Sequence, residues 1–329
     1  MGKMVVKIDS ENVEVVDVHV HPIDLTLATF IPAEEIVKVM DEAGVDKVVL
    51  LAIDTDEEDF DRYVSREILH AAVEEASMDF TQWFSRGYWL SMSEEDLRKL
   101  GKNLLKVAKT PNEKIFEYVN KYPKRFVGFG SVNPNKDKEY IENTLRKIKE
   151  YGFKGIKLLP TVHFFNPKDK KMEPIYEFAE KENLILLIHT GCDPGPWELL
   201  SLSKDANPIY LDPVCEQHPK LKIIAAHMGS YSAQYPGIWF DEMVRVAKKH
   251  ENLYVDISAT FSEINLKKAV RELGVEKILY GSDYPVIGGY CDRSTGMVNC
   301  VNWFKQIDLP VEAKRKIFGE NAKKLLNLE

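Results

Sequence analysis

The sequence has no apolar run long enough to cross a membrane as a helix, which excludes a helical membrane protein. Cysteine is scarce: 4 in 329 residues, at Cys192, Cys215, Cys291 and Cys300, with no Cys-x-x-Cys pair. That spacing excludes a zinc ribbon and a thioredoxin motif, and four reduced thiols are the simplest interpretation. Basic charge is not in excess. Lys and Arg number 44 against 52 Asp and Glu, a net charge of -8, which argues against a nucleic-acid partner. The first residues, Met1 to Asp9, are too polar for a signal peptide. The expectation is a soluble, cytoplasmic protein with no membrane or nucleic-acid partner. No short-period repeat or low-complexity segment is present.

What the chain does have is alternation. Val15–Val20 is β-branched and strand-like. Pro32, the acidic pair Glu34 and Glu35, and Gly44 bracket a helix. Lys47–Ile53 is a continuous apolar run of the kind buried on both faces of a parallel sheet. Further strands are predicted at Arg125–Val132, Phe153–Leu159, Leu184–Thr190, Lys222–His227, Leu253–Ala259 and Lys277–Gly281, each followed by helical sequence. Eight strand–helix units imply parallel pairing and a single α/β domain over residues 1–329, a (β/α)₈ TIM-type barrel. A doubly wound sheet is the rival, but the turn after its first strand would be glycine-rich. Here that turn is His21-Pro22-Ile23-Asp24. One stretch breaks the rhythm. Residues 54–111 are charged, aromatic (Trp83, Tyr88, Trp89) and helical in pattern, and form an insertion after the second strand. It is either a subdomain with its own core or a lid over the site.

In a (β/α)₈ barrel the active site lies at the C-terminal ends of the strands. Those ends carry His19 and His21 on the first strand, Lys157 on the fourth and His189 on the fifth. They carry His227 on the sixth and Asp283 on the eighth. Side chains two apart on a strand share a face, so His19 and His21 are placed to grip one ion together. Each residue alone has an ordinary explanation as a capped or turn-forming group. Together, four of the 8 histidines fall on the rim where the fold puts chemistry.

The set His19-x-His21, His189, His227 and Asp283 resembles the amidohydrolase superfamily, and within it the amidohydrolase 2 branch with its aminocarboxymuconate-semialdehyde decarboxylase-like members. The resemblance spans essentially the whole chain, including Gly155-Ile156-Lys157-Leu158, Gly281-Ser282-Asp283-Tyr284-Pro285 and Ile317-Phe318-Gly319-Glu320-Asn321-Ala322. It implies that His19, His21, His189 and Asp283 bind one divalent metal ion, expected to be zinc. His227 and Asp283 are then the catalytic acid–base groups. A metal of this kind makes hydroxide available near neutral pH. The expected activity is therefore hydrolysis of a C–N or C–O bond in a small molecule. A metal-dependent non-oxidative decarboxylase is the second expectation and a non-catalytic metal-binding scaffold the third. In two-metal members a fourth-strand lysine bridges the ions as a carbamate. The single-metal branch is the nearer resemblance, so Lys157 is expected to meet a substrate carboxylate or brace the rim. His163 could reach substrate from the loop after the fourth strand, and Asp17 could orient the first-strand histidines. Asp256 could face the barrel interior, with no role assigned. Each of Arg62, Arg66, Arg86 and Arg293 could clamp a carboxylate but reads first as a surface residue, and His70, His218 and His250 read as surface or capping residues. A homodimer is compatible with the resemblance.

Overall fold

The structure is a computed structural model that describes residues 4–8, 10–78, 93–287 and 290–328. Trp83, Arg86, Tyr88 and Trp89 of the insertion lie outside those residues. Eight strands form one parallel sheet: β1 (Val16–Val20), β2 (Lys47–Leu51), β3 (Phe126–Ser131), β4 (Gly155–Leu158), β5 (Ile185–Ile188), β6 (Ile223–Ala225), β7 (Leu253–Asp256) and β8 (Ile278–Leu279). Each lies beside its predecessor in the chain, so spatial order follows sequence order. The sheet curls into a nearly closed barrel. At the last seam, the Val18 amide donates to the Tyr280 carbonyl at 3.0 Å and Val20 bridges to Tyr284. The (β/α)₈ architecture expected from the strand–helix alternation is the one observed.

Alternate strand residues separate into two cores, as period-2 geometry requires. Val16, Val18, Val49, Leu51, Leu187 and Ile224 pack in the interior. Val48, Leu50, Leu186, Ile188, Ile223 and Ala225 pack outward with the surrounding helices. The C-terminal helix adds Ala322, Leu325 and Leu326 to the interior core. Helix α1 (Ala33–Ala43) starts after Pro32 and stops at Gly44, whose φ of 77° suits a residue without Cβ.

The first strand departs from simple alternation in a way that matters for the site. Its pairing with β2 shifts register between Asp17 and Val20. Val16 and Val18 are interior, yet Val20 packs with the outer core. A one-residue shift reverses the face of everything after it. His19 and His21 therefore turn inward above Val18 rather than outward.

After β2 come helices α2 (Glu58–Tyr63), α3 (Arg66–Met78) and α4 (Glu94–Ala108) of the insertion. Helix α4 begins with a capping box in which the Ser93 hydroxyl and Asp96 carboxylate satisfy each other's backbone amides. Phe60, Leu69, Leu97 and Leu105 form a small core that also takes Leu159 and Trp197 from the barrel's rim loops. The insertion is thus packed onto the rim that carries the candidate site. No described helix is long and apolar enough to cross a membrane.

Candidate active site

Three donor atoms converge at the mouth of the barrel. His19 Nε2 lies 3.3 Å from His21 Nε2. Asp283 Oδ1 is 3.3 Å from His19 Nε2 and 3.6 Å from His21 Nε2. Donors at about 2.1 Å from a shared ion in tetrahedral geometry would sit about 3.4 Å apart, so these spacings fit one cation. The Lys157 Nζ is 3.0 Å from the same His19 Nε2, a cation already directed at that lone pair. Asp283 holds its place with a backbone φ of 65°, and His227 and Met228 have φ of 61° and 50°. Positive φ in residues other than glycine costs on the order of 1 kcal/mol each, and here it collects at the rim.

A second set of three, His19, His227 and Asp256, also lies close enough to suggest an ion. The Ser258 hydroxyl already serves it. Ser258 Oγ donates to Asp256 Oδ1 and is 3.0 Å from His19 Nδ1 and 2.9 Å from His227 Nδ1. This is a hydrogen-bond hub, and it sets tautomers. His227 Nδ1 is 2.9 Å from the Ser258 carbonyl, which can only accept, so the proton sits on Nδ1. His19 Nδ1 likewise faces Asp256 Oδ2 at 3.0 Å. Both rings then present a bare Nε2, the form needed by a metal ligand or a base.

His189 is placed one step away. Its Nε2 faces the Cys192 carbonyl at 2.8 Å and Asp193 Oδ2 at 3.4 Å, so Nε2 carries the proton. Its Nδ1 is bare and faces the bare His227 Nε2 at 3.1 Å. Two lone pairs meeting without a proton between them are repulsive, and a nearby cation would resolve the conflict. Among the described residues, then, His19, His21 and Asp283 are brought together directly, with His189 adjoining them through His227.

Burial dominates the electrostatics. It pushes the imidazoles of His19, His21 and His227 well below their ordinary range, helped by Lys157 or by neighbouring histidines, and His189 down to about 3. The rings are thereby kept neutral and able to bind metal. Burial raises Asp283 far above the usual carboxylate range, against the opposing pull of Lys157. Lys157 comes down to about 8 by burial, with Asp283, Asp256 and Asp193 acting to raise it.

Asp17 ties β1 to the β8 loop: its Oδ1 accepts from the amides of His19 and Ser282, each at 3.0 Å. Burial lifts its carboxyl to about 7. His163, a candidate to reach substrate from the loop after β4, does not line the cleft; it is fully buried, and its Nδ1 accepts from the Leu159 amide at 3.2 Å. His218 and His250 cap the C-terminal ends of helices Leu211–Gln217 and Phe240–Lys249, as the capping reading has it, but are buried rather than exposed, and bond to Glu173 and Asp212. Arg293 is committed to Glu35 and Asp24. Three partners escaped the sequence reasoning. Asp193 backs His189 and accepts from Thr161. Tyr231 places its ring 4.8 Å from that of His227. Ser258 is the hub, and Asp256-x-Ser258 is the same two-apart pattern at a strand end as His19-x-His21.

Above this floor opens a cleft. His21, His189, His227 and Asp283 lie at its base; Leu25, Ile53, Leu104, Leu159, Val162 and Trp197 are among its walls.

A barrel with His and Asp donors gathered at the C-terminal ends of its strands has the form of a TIM-barrel enzyme. The family model described as amidohydrolase matches residues 16–328, and the chain belongs to that family. It is 25% identical over 275 residues to 2-amino-3-carboxymuconate-6-semialdehyde decarboxylase of Dictyostelium discoideum, covering 74% of this chain and 70% of that protein. It is 23% identical over 264 residues to gamma-resorcylate decarboxylase of Polaromonas sp. strain JS666, covering 67% and 76%. Among solved structures, a dihydroxybenzoic acid decarboxylase from Polaromonas sp. JS666 with bound manganese and 2-nitroresorcinol superposes with a TM-score of 0.57 at 18% identity, covering 95% of this chain and 97% of that one. These findings correct the first functional expectation. Both of these relatives are decarboxylases and not hydrolases; the fold's rim does not by itself fix which reaction it carries.

Proposed function

We propose that the protein is a metal-dependent, non-oxidative carboxy-lyase acting on a small carboxylic acid. The observation that carries this is the convergence of His19 Nε2, His21 Nε2 and Asp283 Oδ1 at the base of a cleft, in a chain whose curated relatives are decarboxylases. His19, His21 and Asp283 would hold the ion, with His189 as the fourth ligand. Imidazole-rich sets favour first-row transition ions over magnesium or calcium, and manganese, as in the related structure, is the first ion to test. When bound, the ion supplies positive charge that orients an anionic substrate and offsets charge developing on it.

The remaining steps belong to the side chains. Loss of carbon dioxide breaks the bond between the carboxylate carbon and its neighbour, and the electron pair stays on that neighbour, which takes up a proton. The exchange needs no oxidant. His227 is fixed through Nδ1 by the Ser258 carbonyl, so Nε2 is the atom that accepts and returns the proton. Asp283 is the second group able to hold a proton. Lys157, fully buried with its Nζ 3.0 Å from the metal-facing Nε2 of His19, balances the negative charge of the surrounding carboxylates. The apolar walls exclude water, which favours release of an uncharged product.

The test is product analysis with manganese-loaded protein and hydroxylated aromatic acids. Metal-dependent release of carbon dioxide with formation of the decarboxylated ring is expected. If no acid in the panel releases carbon dioxide with any divalent ion while metal binds at one equivalent, the proposal fails.

A further inference from the structure

The polar groups of the cleft are gathered at its base, and the surfaces above them are aliphatic or aromatic. They come from separate parts of the chain. Leu25 follows β1, Ile53 follows β2, Leu159 and Val162 follow β4, and Trp197 follows β5. Helix α4 of the insertion contributes Leu104 and Ala108. Leu104 is seated against the β5 loop: a Cβ built on Gly195 would lie 2.8 Å from its Cδ1. No lysine or arginine is among the described residues lining the cleft. Lys157 is fully buried, with its Nζ at the metal-facing Nε2 of His19, and is not among the lining residues.

From this distribution we infer that the substrate is a monocarboxylic acid with an apolar body, such as an alkyl-substituted aromatic acid, and that Leu104 of the insertion is a specificity-determining residue that disfavours a second carboxylate. The inference rests on the carboxy-lyase proposal above. One carboxylate is satisfied at the cationic floor. A second, held against the upper walls, would lose its water without gaining a partner, which is costly. An alkyl group in the same position is buried favourably. A methylene in an apolar pocket is worth roughly tenfold or more in discrimination, and an unpaired charge costs more than that.

The experiment compares two probes on the manganese-loaded full chain: a 2-hydroxybenzoate bearing one alkyl group, and the same ring with a second carboxylate in its place. Carbon dioxide release and the dissociation constant are both measured. The wild type is expected to favour the alkyl probe by at least about tenfold in both. Leu104→Arg, which brings a cation to the wall, should shift that ratio toward the dicarboxylate by at least about tenfold. Leu104→Ala should weaken the alkyl probe without improving the dicarboxylate. Equal or better handling of the dicarboxylate by wild type overturns the inference, as does an unchanged ratio in a folded Leu104→Arg protein. If neither probe releases carbon dioxide but the binding preference and its shift are seen, the cleft's selectivity stands and the carboxy-lyase proposal is what fails.

Discussion

Replacing Asp256 with asparagine should disable the site by flipping a tautomer. Asp256 Oδ1 accepts from the amides of His227 and Ser258, at 2.9 and 3.0 Å, and from the Ser258 hydroxyl. Three converging donors oblige the asparagine to keep its oxygen there. Its amide NH₂ must then take the place of Oδ2, 3.0 Å from His19 Nδ1. Two N–H groups would face each other, unless the His19 proton moves to Nε2. That atom is then a donor, directed at Lys157 and at the place where an ion would bind, and can no longer be a ligand. Loss of the supporting carboxylate typically lowers metal affinity 10–100-fold. Because the exchange also removes one ligand atom, the upper end is expected, about 2.7 kcal/mol. Metal affinity by competition with a chromophoric chelator reads this directly, with a thermal melt to show that the variant is folded. Ser258→Ala is the control. His19 Nδ1 keeps Asp256 and His227 Nδ1 keeps the Ser258-position carbonyl, so affinity should fall less. A folded Asp256→Asn protein with wild-type metal affinity would refute the tautomer reasoning.

Two further predictions concern stability. Gly155 lies on β4 where an added Cβ would be 2.3 Å from the Ile185 carbonyl oxygen; Gly155→Ala should destabilise by about 1–3 kcal/mol, read as a lower urea midpoint, and an unchanged midpoint would show that the strands yield freely. Burial depresses the His163 imidazole from 6.5 to about 3, so the unfolded chain takes up this proton first. Stability from His163 is complete above pH 6.5 and is lost progressively as pH falls toward 3. Between pH 7.5 and 5.5 the metal-free wild type should lose about 1.4 kcal/mol more than His163→Asn. Comparison of the two proteins cancels the opposite slopes of Asp17 and Asp193, whose carboxyls are raised to about 7. Parallel pH profiles in urea titrations would contradict this.

The barrel and its rim were legible in the sequence because both rest on local patterns. Apolar runs separated by capped helices gave the strand count, and the strand ends then selected His19, His21, His189, His227 and Asp283. Other features depend on contacts across the fold. Alternation along Val15–Val20 does not reveal the register shift that turns His19 inward. Nothing near His163, His218 or His250 in sequence signals that distant loops and helices cover them. The hub at Ser258 joins residues separated by 239 positions. Strand-end residues at the floor are marked by local pattern, whereas Asp193, Tyr231 and the walls are not, since Leu104 reaches the cleft only through the packing of helix α4 on the rim loops. Choice between hydrolysis and decarboxylation was equally out of reach, as both use the same rim.

On the proposed function, one divalent ion on His19, His21 and Asp283 supports loss of carbon dioxide from a carboxylic acid. The most direct measurement is carbon dioxide release against bound metal, for wild type and Asp283→Asn, after chelation and stepwise addition of manganese. Release that rises to a plateau at one equivalent in the wild type, and falls at least about 100-fold in the variant, is the predicted result. Release that persists in the fully chelated protein, or is undiminished in Asp283→Asn, would contradict the claim.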